Sequence, residues 1–207
     1  MRVISGSARG RRLKAPTGRL VRPTSDRVKE SVFDLLGLRW DGCRVMDLFA
    51  GSGALGIEAL SRGAGLALFV EADRSCVSVL VANLRSCALE EKARVIRGDA
   101  VRFLRRRGGF PDFHVVFADP PYERGLAWPC VVGVGRGRWL APGGVLVLEH
   151  SRRELFPDQG AGLALLDRRS YGGTLISLYG WGPGQGEMEP EACPPGDGMG
   201  PRPTDWG

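Results

Sequence analysis

From residue 43 onward, short apolar runs alternate with stretches of helical periodicity, and that alternation leaves few folds open to the chain. Strand-like runs fall at 44–49, 66–71, 93–97, 113–118 and 144–149. Helical periodicity falls at 54–62 and 75–88, where Val77, Leu80, Val81, Leu84 and Ala88 make the expected buried stripe, and a shorter helix is predicted over 100–107. Repeated strand–helix–strand units imply an α/β fold with a mainly parallel sheet. Two more strand-like runs, 162–167 and 174–181, flank a turn at Gly172-Gly173 and read as a hairpin closing one sheet edge. Residues 125–139 should be helical by position, but Pro129, Gly133, Gly135 and Gly137 predict a short or irregular helix.

The two ends differ from this body. Val3-Ile4 and Arg12-Leu13-Lys14 flank a glycine-rich turn and read as a small basic hairpin. Pro23-Thr24-Ser25-Asp26 is a helix start signal, with Val28, Val32, Leu35 and Leu36 following on one face. Residues 183–207 hold six Pro and six Gly with little apolar content, so a disordered tail is expected. The predicted organisation is a basic hairpin arm over 1–24, an α/β domain over 25–182 and the tail over 183–207.

Charge separates the same segments. Residues 1–40 carry ten Arg or Lys against three acids, whereas residues 183–207 carry five acids against Arg202. A basic arm ahead of a near-neutral body fits a nucleic-acid partner. No apolar run is long enough to span a bilayer, and the N-terminus lacks a secretory apolar region, so a cytoplasmic protein without a membrane partner is expected. Five scattered cysteines without Cys-x-x-Cys spacing argue for reduced thiols rather than a disulfide framework, and neither His114 nor His150 has metal-ligand spacing to other donors.

Three sites carry chemistry. The first is Asp47-Leu48-Phe49-Ala50-Gly51-Ser52-Gly53-Ala54-Leu55-Gly56, between a strand and a helix, with Glu71 closing the next strand. Gly-x-Gly-x-x-Gly here lets a ligand approach the backbone, and Glu71 can accept from both hydroxyls of a ribose. Asp47 disfavours a pyrophosphate and favours S-adenosylmethionine, whose ammonium and sulfonium tolerate an acid. The second site is Gly98-Asp99-Ala100. There Asp99 can accept from an adenine amino group and the Ala100 N–H can donate to the ring, although a helix-capping Asp reads equally well.

The third is Asp119-Pro120-Pro121-Tyr122, after an apolar strand. An exocyclic amine on a base is a weak nucleophile because its lone pair is delocalised into the ring. The Asp119 carboxylate and the Pro120 carbonyl can grip its two hydrogens and favour a pyramidal nitrogen. Pro120 and Pro121 stiffen the loop, and Tyr122 offers a face on which a flipped base can stack.

Taken together, Arg22-Pro23-Thr24 with Arg27-Val28-Lys29-Glu30, the stretch 47–65, Phe69-Val70-Glu71, residues 119–122 and Tyr171-Gly172-Gly173-Thr174 resemble the RsmD family of 16S ribosomal RNA guanine-N2 methyltransferases. The resemblance covers residues 2–181. It implies the class I methyltransferase fold, a seven-stranded, mostly parallel sheet whose last strand is antiparallel. It also implies a guanine of 16S rRNA as substrate, modified during small-subunit assembly; the protein itself is expected to be a monomer. Cofactor-binding roles would fall on Asp47, Gly51, Gly53, Glu71 and Asp99, with Phe49 and Ala100 in the same loops. Arg22 and Thr24 would help cover the donor's methionine end. The methylation motif falls on Asp119, Pro120, Pro121 and Tyr122, and Arg9, Arg11, Arg12 and Lys14 are candidate RNA-phosphate contacts.

An adenine-N6 methyltransferase acting on DNA or RNA is the nearest alternative, but an enzyme that reads a DNA sequence needs a recognition domain, and no block of residues remains to build one. A non-enzymatic RNA-binding assembly factor would not need all three sites intact. A nicotinamide oxidoreductase is disfavoured by Asp47 and by the third site.

Overall fold

The computed structural model describes residues 1–16, 26–106 and 109–184. The calls on Arg22, Thr24 and most of the acidic tail lie outside them. Helix α1 (Asp26–Leu36) precedes β1 (Arg44–Leu48), α2 (Ala54–Ser61), β2 (Leu66–Glu71), α3 (Arg74–Ser86) and β3 (Ala93–Arg97). Then come α4 (Ala100–Leu104), β4 (Phe113–Ala118), α5 (Ala127–Arg136), β5 (Leu140–Ser151), β6 (Gln159–Gly160), β7 (Leu163–Tyr171) and β8 (Thr174–Trp181). The sheet order is β3-β2-β1-β4-β5-β8-β7-β6.

Strands β1 to β5 pair in parallel, and β8 runs antiparallel to both β5 and β7. The predicted terminal hairpin therefore does not close an edge: β8 inserts beside β5, and the two-residue β6 takes the edge as an eighth strand. Side chains alternate between two cores. Val45, Phe69, Val115 and Phe117 meet α1, α2 and α3 on one face, while Met46, Leu48, Val70 and Val116 meet α4 and α5 on the other.

Two helices differ from expectation. Helix α3 buries Cys76, Leu80, Asn83 and Leu84, while Val77 and Val81 are half-buried and Ala88 is exposed past the helix end. The stripe is rotated because Asn83, a polar residue, is spent on buried hydrogen bonds. Residues 127–136 form a ten-residue helix, shorter than the 125–139 span as expected, but regular despite its glycines. A Cβ at Gly135 would stand 2.2 Å from the Ala161 carbonyl oxygen, and one at Gly133 would stand 3.0 Å from Leu104 Cβ. These glycines let α5 pack closely, and that burial outweighs their weak helix propensity.

The N-terminal segment turns back on itself through one antiparallel bridge, Arg2 with Arg12, and Val3, Ala8 and Leu13 join the first core. Gly6, at φ +82°, lies so close to α2 that a Cβ would stand 1.7 Å from the Ser61 carbonyl oxygen. Glu58 of α2 anchors the segment: it accepts from the N–H groups of Ile4 and Ser5 at 2.8 and 2.9 Å, and pairs with Lys29 Nζ at 2.9 Å and Arg62 Nε at 3.0 Å.

Candidate active site

The site gathers at the carboxyl ends of the parallel strands, where loops leave an open α/β sheet and ligands bind. The glycine loop follows Leu48, and the Asp119 loop follows Ala118. Leu48 and Ala118 are register partners, so the two loops leave strands about 4.8 Å apart. Phe49 begins the first loop at φ +61°, a left-handed conformation uncommon for an aromatic residue, with its ring packed against the second core. Gly51 follows at φ +54°, where a Cβ would meet only the Phe49 carbonyl oxygen, at an ordinary 3.9 Å, so its backbone conformation rather than crowding favours glycine. Gly53 and Gly56 are small for another reason: a Cβ there would stand 2.2 Å from Leu80 and 2.3 Å from Phe69, respectively.

Asp47 lies beneath this loop rather than at its mouth, 3% exposed. Its Oδ2 accepts from the Gly56 N–H at 2.9 Å, so the carboxylate caps α2, whose N-cap residue Gly53 supplies no side chain. Burial pushes the Asp47 carboxyl up to about 7; the Gly56 N–H pulls it down and the charge of Glu71 pushes it further up. A pyrophosphate would need the helix N-terminus that Asp47 already occupies.

Glu71 closes over the loop from β2. One oxygen accepts from the Gly51 N–H at 2.8 Å and the other from the Asp73 N–H at 2.8 Å. Asp99 caps α4 by accepting from the Arg102 N–H at 2.7 Å, so the capping role weighed from sequence is the one its side chain fills here, while Ala100 is buried just behind it. Glu71 and Asp99 bring carboxylates to the described part of this cleft, with Asp47 buried beneath it.

In the Asp119 loop, Pro120 is buried and Pro121 exposed. The Tyr122 hydroxyl donates to Glu149 Oε1 at 2.6 Å and lies 2.9 Å from the Thr174 hydroxyl. Burial, then the bond to Glu149, raises its pKa above the usual tyrosine range, so the hydroxyl keeps its proton and the ring is what it presents. Glu149 and Thr174 were not singled out in the sequence as site residues; the only signal was the Tyr171-Gly172-Gly173-Thr174 string.

Among the candidate RNA contacts, Arg9, Arg11, Arg12 and Lys14 are all exposed. They are not gathered at one point. Asn83 ties the Lys14 backbone to the glycine loop by accepting from the Lys14 N–H at 2.8 Å and donating to the Ser52 carbonyl at 2.9 Å. The turn carrying Arg9 instead packs on Ser61, at the far end of α2, about 12 Å away along that helix.

A parallel sheet with an antiparallel strand inserted beside its fifth, and an acid already seated on the first helix of the glycine loop, defines a class I methyltransferase. Residues 1–180 match a protein family described as conserved hypothetical protein 95. YlbH of Bacillus subtilis, named provisionally as an rRNA methyltransferase, is 41% identical over 86% of this chain and 98% of its own. Ribosomal RNA small subunit methyltransferase D of Escherichia coli K12 is 36% identical over 86% of this chain and 89% of its own. Among solved structures, yhhF of Escherichia coli, provisionally named a methyltransferase, superposes with a TM-score of 0.74 at 36% identity, covering 86% of this chain and 96% of that one. The chain belongs to the RsmD family.

The residues present suit S-adenosylmethionine. Glu71 is held by two backbone N–H groups with its carboxylate at the loop rim, and an acidic group there is compatible with a cationic ligand. No helix among the described residues is long and apolar enough to cross a membrane.

Proposed function

We propose that this protein transfers a methyl group from S-adenosylmethionine to the exocyclic N2 of a guanine in 16S rRNA, in the cytoplasm, as a monomer, during assembly of the small subunit. The observation that carries this reading is the adjacency of the glycine loop and the Asp119-Pro120-Pro121-Tyr122 loop at paired strand ends. The cofactor supplies an activated methyl group on its sulfonium. Asp119 and the Pro120 carbonyl hold the amine hydrogens, Tyr122 stacks on the flipped base, and Glu71 holds the ribose. Positioning of this kind accounts for most of the rate. Incubation with labelled methyl donor and bare 16S RNA, assembled small subunits or DNA tests the reading. N2-methylguanosine in 16S RNA is expected, and methyl on adenine N6 in any arm overturns it.

Glu71→Ala should weaken cofactor binding by about 1–3 kcal/mol, the range for hydrogen bonds to a charged group. Calorimetric titration with S-adenosylhomocysteine reads this directly, and unchanged affinity would place the ribose elsewhere.

Cofactor binding should also be pH-dependent. The raised Asp47 pKa means that the folded protein favours the neutral acid, a contribution to stability present at low pH and lost as pH rises through about 7. A ligand ammonium nearby favours the carboxylate, so binding should release a proton below pH about 7 and tighten as pH rises toward that value, levelling off above it. Calorimetry in buffers of different ionisation heat measures the release, and Asp47→Asn should abolish it.

Arg9, Arg11, Arg12 and Lys14 contact RNA phosphates along the arm in this reading. Replacing Arg9, Arg11 and Arg12 together by Ala should weaken RNA binding and flatten its salt dependence while leaving cofactor affinity near wild type. An unchanged salt slope would move the clamp elsewhere, with Arg105 and Arg106 next to be tried; Arg107, the third of that run, lies outside the described residues.

A further inference from the structure

Glu149 stands beside the methylation loop on a strand that the function proposed above leaves unused. Ala118, the last residue of β4, pairs with Leu148 of β5, so Asp119 opens its loop from a point about 4.8 Å from where β5 continues into Glu149. The Tyr122 hydroxyl has one proton and donates it to Glu149 Oε1 at 2.6 Å, so at the 2.9 Å contact Thr174 is the donor to Tyr122. The Tyr171-Gly172-Gly173-Thr174 turn thereby gains a role: it brings Thr174 to the chain Thr174–Tyr122–Glu149 and holds the carboxylate in one orientation. Both Glu149 and Asp119 bear electrostatically on the Tyr122 hydroxyl, after its burial.

We propose that Glu149 is a specificity-determining residue that accepts the N1–H of the target guanine while Asp119 takes the neighbouring exocyclic amine. This rests on the function proposed above. Guanine presents N1–H and N2–H side by side as donors. Adenine presents N1 as an acceptor beside its N6 amine. An ionised carboxylate only accepts, and it has about four lone-pair sites, so a base N–H can join the Tyr122 hydroxyl on the same carboxylate. Two carboxylates side by side thus match the guanine edge, whereas an adenine N1 lone pair would face a carboxylate lone pair with no hydrogen between them. Sites built around a hydrogen bond reject a ligand lacking that donor strongly, because the buried acceptor is left unpaired.

The test compares Glu149→Gln, Tyr122→Phe and the unsubstituted protein on small subunits that lack the modification. Glu149→Gln keeps an amide oxygen for the Tyr122 hydroxyl but presents a donor toward N1–H, and kcat/KM should fall about 100-fold with S-adenosylhomocysteine affinity unchanged. Tyr122→Phe breaks the tether but leaves the carboxylate, so its loss should be about 10-fold or less. A second substrate carries 2-aminopurine, which keeps the 2-amino group but has no N1–H, in place of the mapped guanosine, in ligated 16S RNA reconstituted into subunits. The unsubstituted protein should discriminate against it about 100-fold, and Glu149→Gln, whose amide N–H can donate to the bare N1, should lose or reverse that discrimination. Equal losses for Tyr122→Phe and Glu149→Gln, or discrimination retained by Glu149→Gln, would overturn the assignment. Absence of rRNA methylation by the unsubstituted protein would instead overturn the function on which it rests.

Discussion

Asp119→Ala is expected to lower the methylation rate by about 10³-fold or more while leaving S-adenosylhomocysteine affinity within about twofold, because an oriented acceptor in a preorganised site is worth about 10²–10³ on its own. In the proposed mechanism Asp119 also sets the amine geometry. It leaves β4 directly after Ala118, whose neighbours Leu48 and Leu148 are fully buried, so the loop starts from a rigid point. The cofactor-side groups, Asp47 and Glu71, belong to β1 and β2 and make their hydrogen bonds to the glycine loop and to Asp73, not to the Asp119 loop. The two functions should therefore separate on substitution. Asp119→Asn, which keeps one acceptor oxygen, should fall between wild type and Ala. Single-turnover rates with saturating donor, beside calorimetric affinities, decide the matter. A fall in donor affinity as large as the fall in rate would count against Asp119 as the group that holds the amine.

The largest effect on stability should come from Glu58→Ala, at about 3–5 kcal/mol, the usual result of stranding one member of a buried ion pair. Glu58 and Lys29 are both 0% exposed, and Lys29 Nζ also donates to the Arg2 carbonyl at 2.6 Å. Without Glu58, a buried ammonium keeps only that carbonyl, and the Ile4 and Ser5 N–H groups lose their acceptor. The N-terminal segment should detach from α2 and become susceptible to proteolysis. Replacing Lys29 by Met alongside Glu58→Leu should recover part of the loss, since the ammonium is then not stranded while Arg62 and the Ile4 and Ser5 N–H groups still lose their acceptor. Urea unfolding followed by circular dichroism measures both; a single-variant loss below about 1 kcal/mol would mean that the pair contributes no more than a surface one. Acid should act in the same direction. Burial alone would raise the Glu58 pKa, but the Ile4 N–H and Lys29 lower it overall. Its contribution is thus present above the ordinary carboxylate pKa and lost as pH falls through the depressed one.

These two residues differ in how visible they were beforehand. Asp119 sits in a local string, and a string at the end of an apolar strand is legible because the strand period and the proline punctuation are properties of neighbours in sequence. The same holds for the glycine loop, for Glu71 at the end of β2, and for five parallel strands whose limits fell within a few residues of those expected. Glu58 gave no such signal. Its partners Lys29, Ile4 and Ser5 lie 29, 54 and 53 residues away, and only the docking of the N-terminal turn on α2 brings them together.

Tyr122 and α5 show both sides of that division. The tyrosine could be expected at the site, but not the Glu149 and Thr174 that hold its hydroxyl, because they are 27 and 52 residues distant and meet it only through the register of β4, β5 and β8. In α5, Gly133 and Gly135 argue locally against a helix, and local propensity is all that a single sequence displays. The contacts of those positions with Leu104 and Ala161 reverse the sign, since burial summed over a helix exceeds about 1 kcal/mol per glycine. Chain-local patterns thus carried the order of elements and the strand-end motifs. Which distant side chains answer one another, and whether an unfavourable local choice is compensated, followed from packing across the two faces of the sheet.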